Sequence, residues 1–171
     1  MSESNEEDLR ASLKGYKEKI TPLSKATLTW DKGLVFLGRT QEGYEIEFDG
    51  HVQWGCKPTD ALLLSLAGCM GIDVVMFLQK MKMQLTGFKI DIAGERNATP
   101  PQYFRSIAMT LHIAGTHLDS KKVDRAVSLS YEKYCSVYNS LRQDLDVTVN
   151  CVLEDKEPLQ AGTGEEAKAE R

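Results

Sequence analysis

The sequence predicts an α+β fold, in which antiparallel strand meanders are interrupted by two helices. Three observations carry this. Alternation of apolar and polar residues recurs in short stretches early, midway and late in the chain. An apolar run from Ala61 to Leu78 contains one charge, Asp73, and reads as a long helix. A second helical pattern opens at Asp119, so helices punctuate the meanders rather than following every strand as in a βαβ series.

Residues 1–22 read as an amphipathic helical appendage. Leu9, Leu13, Tyr16 and Ile20 recur at helical spacing with charge opposite, and Pro22 ends the pattern. Such a helix is either a flap over the chain's own sheet or its dimer mate, or a partner-binding element. The domain proper spans residues 23–154. Residues 24–30 and 34–39 read as strands joined by a turn at Asp31-Lys32-Gly33. Tyr44, Ile46 and Phe48 alternate with Glu45, Glu47 and Asp49, so that strand is expected to be half-buried. Pro58 stiffens the entry to the long helix, Thr59 is placed to cap it, and Asp60 adds negative charge to its first turn. Phe88, Ile90 and Ile92 mark the next strand. Residues 103–114 mark another, with Ile107, Met109, Leu111 and Ile113 on one face. Asp119 caps the second helix, which turns Val123, Ala126, Val127 and Tyr134 inward. Val147, Val149 and Cys151 share one side of the last strand. Residues 155–171 lack apolar periodicity and read as a disordered acidic tail.

A chain of 171 residues suffices for one domain with a substantial core. The net charge of −4, with basic residues scattered, offers no phosphate-binding stripe, so nucleic acid is not an expected partner. The acidic start MSESNEEDLR lacks a basic stretch followed by an apolar one, which points to a cytoplasmic location. Thiols stay reduced there, so the four cysteines, Cys56, Cys69, Cys135 and Cys151, are not expected to be structural staples. They form no CxxC pair or Cys/His cluster. His51, His112 and His117 show no metal-ligand spacing either, and no metal is expected.

The apolar helix just reaches membrane-spanning length. The carboxylate of Asp73, the missing aromatic belt and a sheet pattern that needs covering all argue against a span, so no membrane partner is expected. The expectation is a helix apolar all round because it is buried all round, between sheets or between subunits. Ser65, Cys69 and Asp73 fall four residues apart and share one stripe. Gly68 and Gly71 flank the thiol. Glycine costs up to about 1 kcal/mol in a helix interior, so something is expected to approach closely there, another helix or a substrate. Cys135 sits in EKYCSVYNSLRQD, where one helical stretch gives way to another, and a helix start favours the thiolate. One cysteine on a buried helix and one at a helix junction is what a two-cysteine redox cycle needs. Free cysteine also serves as a small hydrophobe, the reading that suits Cys151; Cys56 reads as incidental.

Three stretches, WDKGLVFLGRTQEGYEIEFDG, KPTDALLLSLAGCMGIDVV and RAVSLSYEKYCSV, resemble the OsmC/Ohr family of osmotically inducible and organic-hydroperoxide-resistance proteins, in particular its YhfA-like branch of predicted redox proteins. The resemblance runs from about Lys25 to Glu154. It implies an intertwined homodimer of OsmC-like fold, with two long central helices packed between antiparallel sheets and active sites at the subunit interface. It also implies that Cys69 attacks a hydroperoxide as thiolate and that Cys135 resolves the sulfenic acid to a disulfide. An external thiol, in some members a dihydrolipoyl group, restores the pair, and no cofactor is implied. In the peroxidase members a glutamate directly follows the proline before the helix and works with an arginine of the first hairpin. Here Thr59 follows Pro58, and the carboxylate comes one place later as Asp60, turned by about 100°. The nearest basic residues of the hairpin are Lys32 and Arg39. Arg39, Asp60 and Asp73 are the candidate supporting residues. Arg125 reads as a surface salt-bridge residue near Asp124, and Glu132 as a solvated one.

The expected function is a thiol peroxidase acting on organic hydroperoxides through Cys69 and Cys135, with Leu66, Met70 and Phe77 offering an apolar surround. The alternative is a non-peroxidase dimer of the same fold that binds a small molecule or partner, Cys69 being a redox sensor or a packed residue. The displaced carboxylate and the unmatched arginine favour that alternative. A hydrolase pairing Cys69 with a histidine is the weakest reading, since His51 is merely nearest in the chain.

Overall fold

The computed structural model describes residues 11, 13–17 and 22–155. Leu9, Ile20 and residues 156–171, on which parts of the helix and tail expectations fall, lie outside them. Strands β1 (Ala26–Lys32), β2 (Val35–Thr40) and β3 (Glu45–Asp49) form an antiparallel sheet in that order. Gly33 supplies the turn between the first two, at φ +53°, a conformation that side chains disfavour. Cross-strand pairs Trp30↔Phe36 and Phe36↔Phe48 set the register.

This sheet is more exposed than its alternation promises. Leu28, Trp30, Leu37 and Ile46 are exposed and Phe48 is only half-buried, because the chain folds little of itself over them. The half-buried strand expected at residues 44–48 is therefore not half-buried within one chain. Asp49 ends β3 fully buried, its carboxylate accepting backbone N–H bonds from His51, Gln53 and Trp54. Those bonds hold its pKa below the usual carboxylate value and shape the loop that leads to the long helix.

Helix α1 runs from Pro58 to Lys80. Lys57 is its N-cap and Pro58 its first residue, where the missing N–H costs nothing. Thr59 thus lies inside the first turn and does not cap, contrary to expectation; Asp60 is in that turn as expected. Leu66, Met70, Val74, Phe77 and Leu78 are wholly buried. Leu64 and Ile72, by contrast, are 63% and 69% exposed, so the helix is apolar all round but covered on one side only by its own chain. The two glycines divide in the same way. Gly71 packs against Phe88 and Ile90, where a Cβ would come within 3.3 Å and 3.4 Å, whereas Gly68 faces open space. By length and composition α1 could cross a membrane, but its inner face is the floor of a protein core.

The second sheet holds β4 (Gln84–Arg96), β5 (Phe104–Thr116) and β6 (Asp146–Asp155). Strands β4 and β5 are antiparallel, but β6 runs parallel to β5. The antiparallel meander expected here is thus a mixed sheet, because the helical connection between β5 and β6 crosses over the face that α1 also covers. Ile107, Met109, Leu111 and Ile113 of β5 form the buried face as predicted, and Cys151 packs against that core from β6. The connection begins with α2 (Ser120–Leu129), whose N-cap Asp119 accepts from the N–H groups of Lys121 and Lys122. A π-helical turn, Ser130–Tyr134, follows, and then the one-turn helix α3, Ser136–Asn139. The second of the two long helices is in fact this broken series.

Candidate active site: a thiol pair beside a buried carboxylate

Helix α1 presents Cys69 and Asp73 one turn apart on the side facing α2 and the π turn. The helical register widens at Ser130–Tyr134 and then breaks, so Cys135 takes an extended conformation (φ −70°, ψ 96°) at the start of α3. Wide turns of this kind recur at functional sites. The break brings the two thiols into the same neighbourhood, close enough that Cys69 helps to raise the Cys135 thiol. Cys135 is completely buried and Cys69 partly so.

The expectation that a helix start would favour a Cys135 thiolate is not met. Burial pushes this thiol up to about 12 from its ordinary 9.0, and the neighbouring Cys69 thiol and the charge of Asp73 push the same way. The Tyr138 N–H, 3.4 Å from the sulfur, opposes them but does not prevail. Desolvation outweighs the field of a four-residue helix.

Asp73, also fully buried, is well satisfied. Its Oδ2 accepts from the Ser130 hydroxyl at 3.0 Å, and its Oδ1 from the Tyr16 hydroxyl at 2.6 Å. Lys17 Nζ lies 2.8 Å from Oδ1 and also donates to the Tyr134 carbonyl. A buried carboxylate is tolerable when paired and hydrogen-bonded in this way. The Tyr16 ring packs at 5.7 Å on Phe77 and 5.4 Å on Tyr134, and Leu13 joins the core, so the described part of the N-terminal segment covers the site as a flap. Burial and the bond to Asp73 push the Tyr16 phenol well above its ordinary value. Nearby, Tyr138 and Tyr131 are bonded through their hydroxyls at 2.6 Å, and that bond, with burial, pushes Tyr131 up to about 12.

The other candidates do not assemble here. Ser65, although on the same stripe, is exposed and donates to the Ala61 carbonyl. Asp60 precedes Cys69 by nine residues, which places it about 13 Å away along the helix and on the opposite side. Arg39 pairs with Glu45 at 3.4 Å on the exposed sheet. Lys32 lies over the Trp54 ring. The salt bridge expected of Arg125 is absent among the described residues: its Nε is buried without a hydrogen-bond partner. His51 belongs to the Asp49 loop and His112 bonds Asp91, so neither attends Cys69. Among the described residues no group of three or more His, Cys, Asp or Glu could hold a metal. Tyr16, Lys17 and Ser130 are what the sequence reading missed. Tyr16 looked like one more apolar position of an amphipathic helix, and Ser130 lay unremarked inside RAVSLSYEKYC.

Residues 49–150 match the family model described as OsmC-like protein. The chain belongs to the OsmC-like family. An OsmC-like relative, protein YhfA of Escherichia coli K12, is 34% identical over 125 residues, covering 72% of this chain and 93% of that protein. The crystal structure of a hypothetical protein from Aquifex aeolicus VF5 aligns with a TM-score of 0.73 at 26% identity, over 80% of this chain and all of that one. An organic hydroperoxide resistance protein OsmC of Legionella pneumophila aligns at 0.58 and 20% identity over 78% of this chain and 98% of that one, a likeness of fold. The residues that match the family model begin at Asp49, after Tyr16 and Lys17.

Proposed function

We propose that this protein reduces organic hydroperoxides through a Cys69/Cys135 cycle and works as a homodimer. The observation that carries the reading is that Cys69 on α1 and Cys135 at the start of α3 lie near enough to influence each other's proton. Membership of a family that includes proteins named for organic hydroperoxide resistance supports it. Cys135, buried and pushed up, stays a thiol; Cys69, partly exposed, is the sulfur a peroxide can reach.

As thiolate, Cys69 attacks an oxygen of the hydroperoxide. The S–O bond forms as the O–O bond breaks, and the alkoxide leaves and is protonated to the alcohol. The Cys135 thiol then condenses with the Cys69 sulfenic acid, forming the disulfide and releasing water. Two equivalents of an external thiol, or one dithiol such as a dihydrolipoyl group, reduce the disulfide and are themselves oxidised. Asp73, neutralised by Lys17, Tyr16 and Ser130, holds α1 and the π turn in register so that the sulfurs stay opposed. Leu66, Met70 and Phe77, expected to surround the substrate, are instead wholly buried in the core.

The test is to treat reduced protein with cumene hydroperoxide, count thiols after denaturation and map the peptides. Loss of two thiols per chain as a Cys69–Cys135 disulfide is expected; survival of both thiols after prolonged exposure overturns the cycle. One observation favours a second reading, in which Cys69 is a slow redox sensor: Arg39 stays paired with Glu45, so the hairpin brings no guanidinium to Cys69 within the chain. A sensor would react with the peroxide no faster than free cysteine does.

A further inference from the structure

The N-terminal segment also walls a cavity of about 880 Å³ against α2, the π turn and Ser136. Four cationic side chains line it, Lys14, Lys17, Arg125 and Lys133, against a single carboxylate, Glu132. Two of the four are engaged: Lys17 holds Asp73, and Lys133 lies 5.2 Å from the centre of the Tyr134 ring. Arg125 is not, for its Nε is buried and donates to nothing among the described residues. A buried guanidinium N–H is costly to leave without an acceptor, and its planar fork suits the paired oxygens of a carboxylate or phosphate. The rest of the wall is mostly apolar, formed by Leu13, Leu129 and the Tyr16 and Tyr134 rings, with Ser136 beside them. A volume of this order is ordinary for a small-molecule site.

We propose that this cavity binds a small organic anion, an acid group carried on a compact apolar body, with Arg125 holding the acid and Lys14 and Lys133 at the rim. Leu13, Lys14, Tyr16 and Lys17 all precede the residues that match the family model. It does not depend on the thiol cycle, since none of its lining residues is a cysteine.

The experiment titrates the reduced full-length chain with 2-naphthoate and, as a neutral molecule of the same shape, 2-naphthamide, by isothermal titration calorimetry. Saturable binding of the carboxylate at one site per chain is expected, with the amide weaker by about tenfold or more. Arg125→Gln is expected to weaken naphthoate by about tenfold and to leave the amide unchanged. Should that variant fail to fold, Lys14→Gln, at an exposed position, is expected to weaken naphthoate about threefold. Equal affinity for acid and amide, or naphthoate affinity unchanged in the folded variant, overturns the proposal. The Cys69→Ser/Cys135→Ser double variant, which abolishes any thiol cycle, is expected to bind naphthoate as the parent does. Loss of binding there would put the ligand at the thiols instead and equally overturn it.

Discussion

Cys69 and Cys135 are the same side chain in two environments, and the difference decides which one reacts. Iodoacetamide at pH 8 is expected to modify Cys69 before Cys135, and peptide mass mapping over time would check the order. The raised Cys135 thiol also has a consequence for stability. The folded state binds this proton more tightly than the unfolded chain, so the contribution is complete below the ordinary thiol value of 9.0 and is lost as pH rises towards about 12. Tyr16 and Tyr131, shifted the same way, act in the same alkaline window or above it. Urea melts are therefore expected to show stability falling from pH 9 upwards, with a shallower fall in Cys135→Ser. At this scale the sequence showed that Cys69 and Asp73 share a stripe and that Cys135 lies at a junction. It could not show the partners of Asp73, since Tyr16 and Ser130 each lie 57 residues away and only folding brings them in.

Secondary structure was legible where a local signal decides it and obscure where a distant one does. Asp119 read as an N-cap and is one; Asp119→Ala is expected to cost about 1 kcal/mol in a denaturant melt. Thr59 carries the same kind of side chain one place too late, because Pro58 had already fixed the first helical position. The strands were placed by their alternation, yet a period of two says nothing of direction, so the parallel pairing of β6 with β5 went unseen. Nor did the π turn announce itself: Ser130–Tyr134 continues a helical pattern, and the extra residue shows only once Cys135 must face α1.

The whole molecule leaves an unusual amount of apolar surface bare. On α1, Leu64, Gly68 and Ile72 form an outward stripe, and the first sheet exposes Leu28, Trp30, Leu37 and Ile46. Exposed apolar residues grouped on one helix face and one sheet suit an interaction site. Ile72→Glu is expected to convert a dimer into a monomer in sedimentation velocity, with the parent protein dimeric at the same concentration. From the sequence this was visible only as a helix with no polar face, which cannot distinguish burial by its own sheet from burial by another chain. The first sheet carries a further implication. Residues 26–49 enclose almost no core of their own, so in the proposed homodimer a second copy is what these strands would pack against. For the homodimer proposed above, mass action would govern survival of the folded state, so stability is expected to fall on dilution.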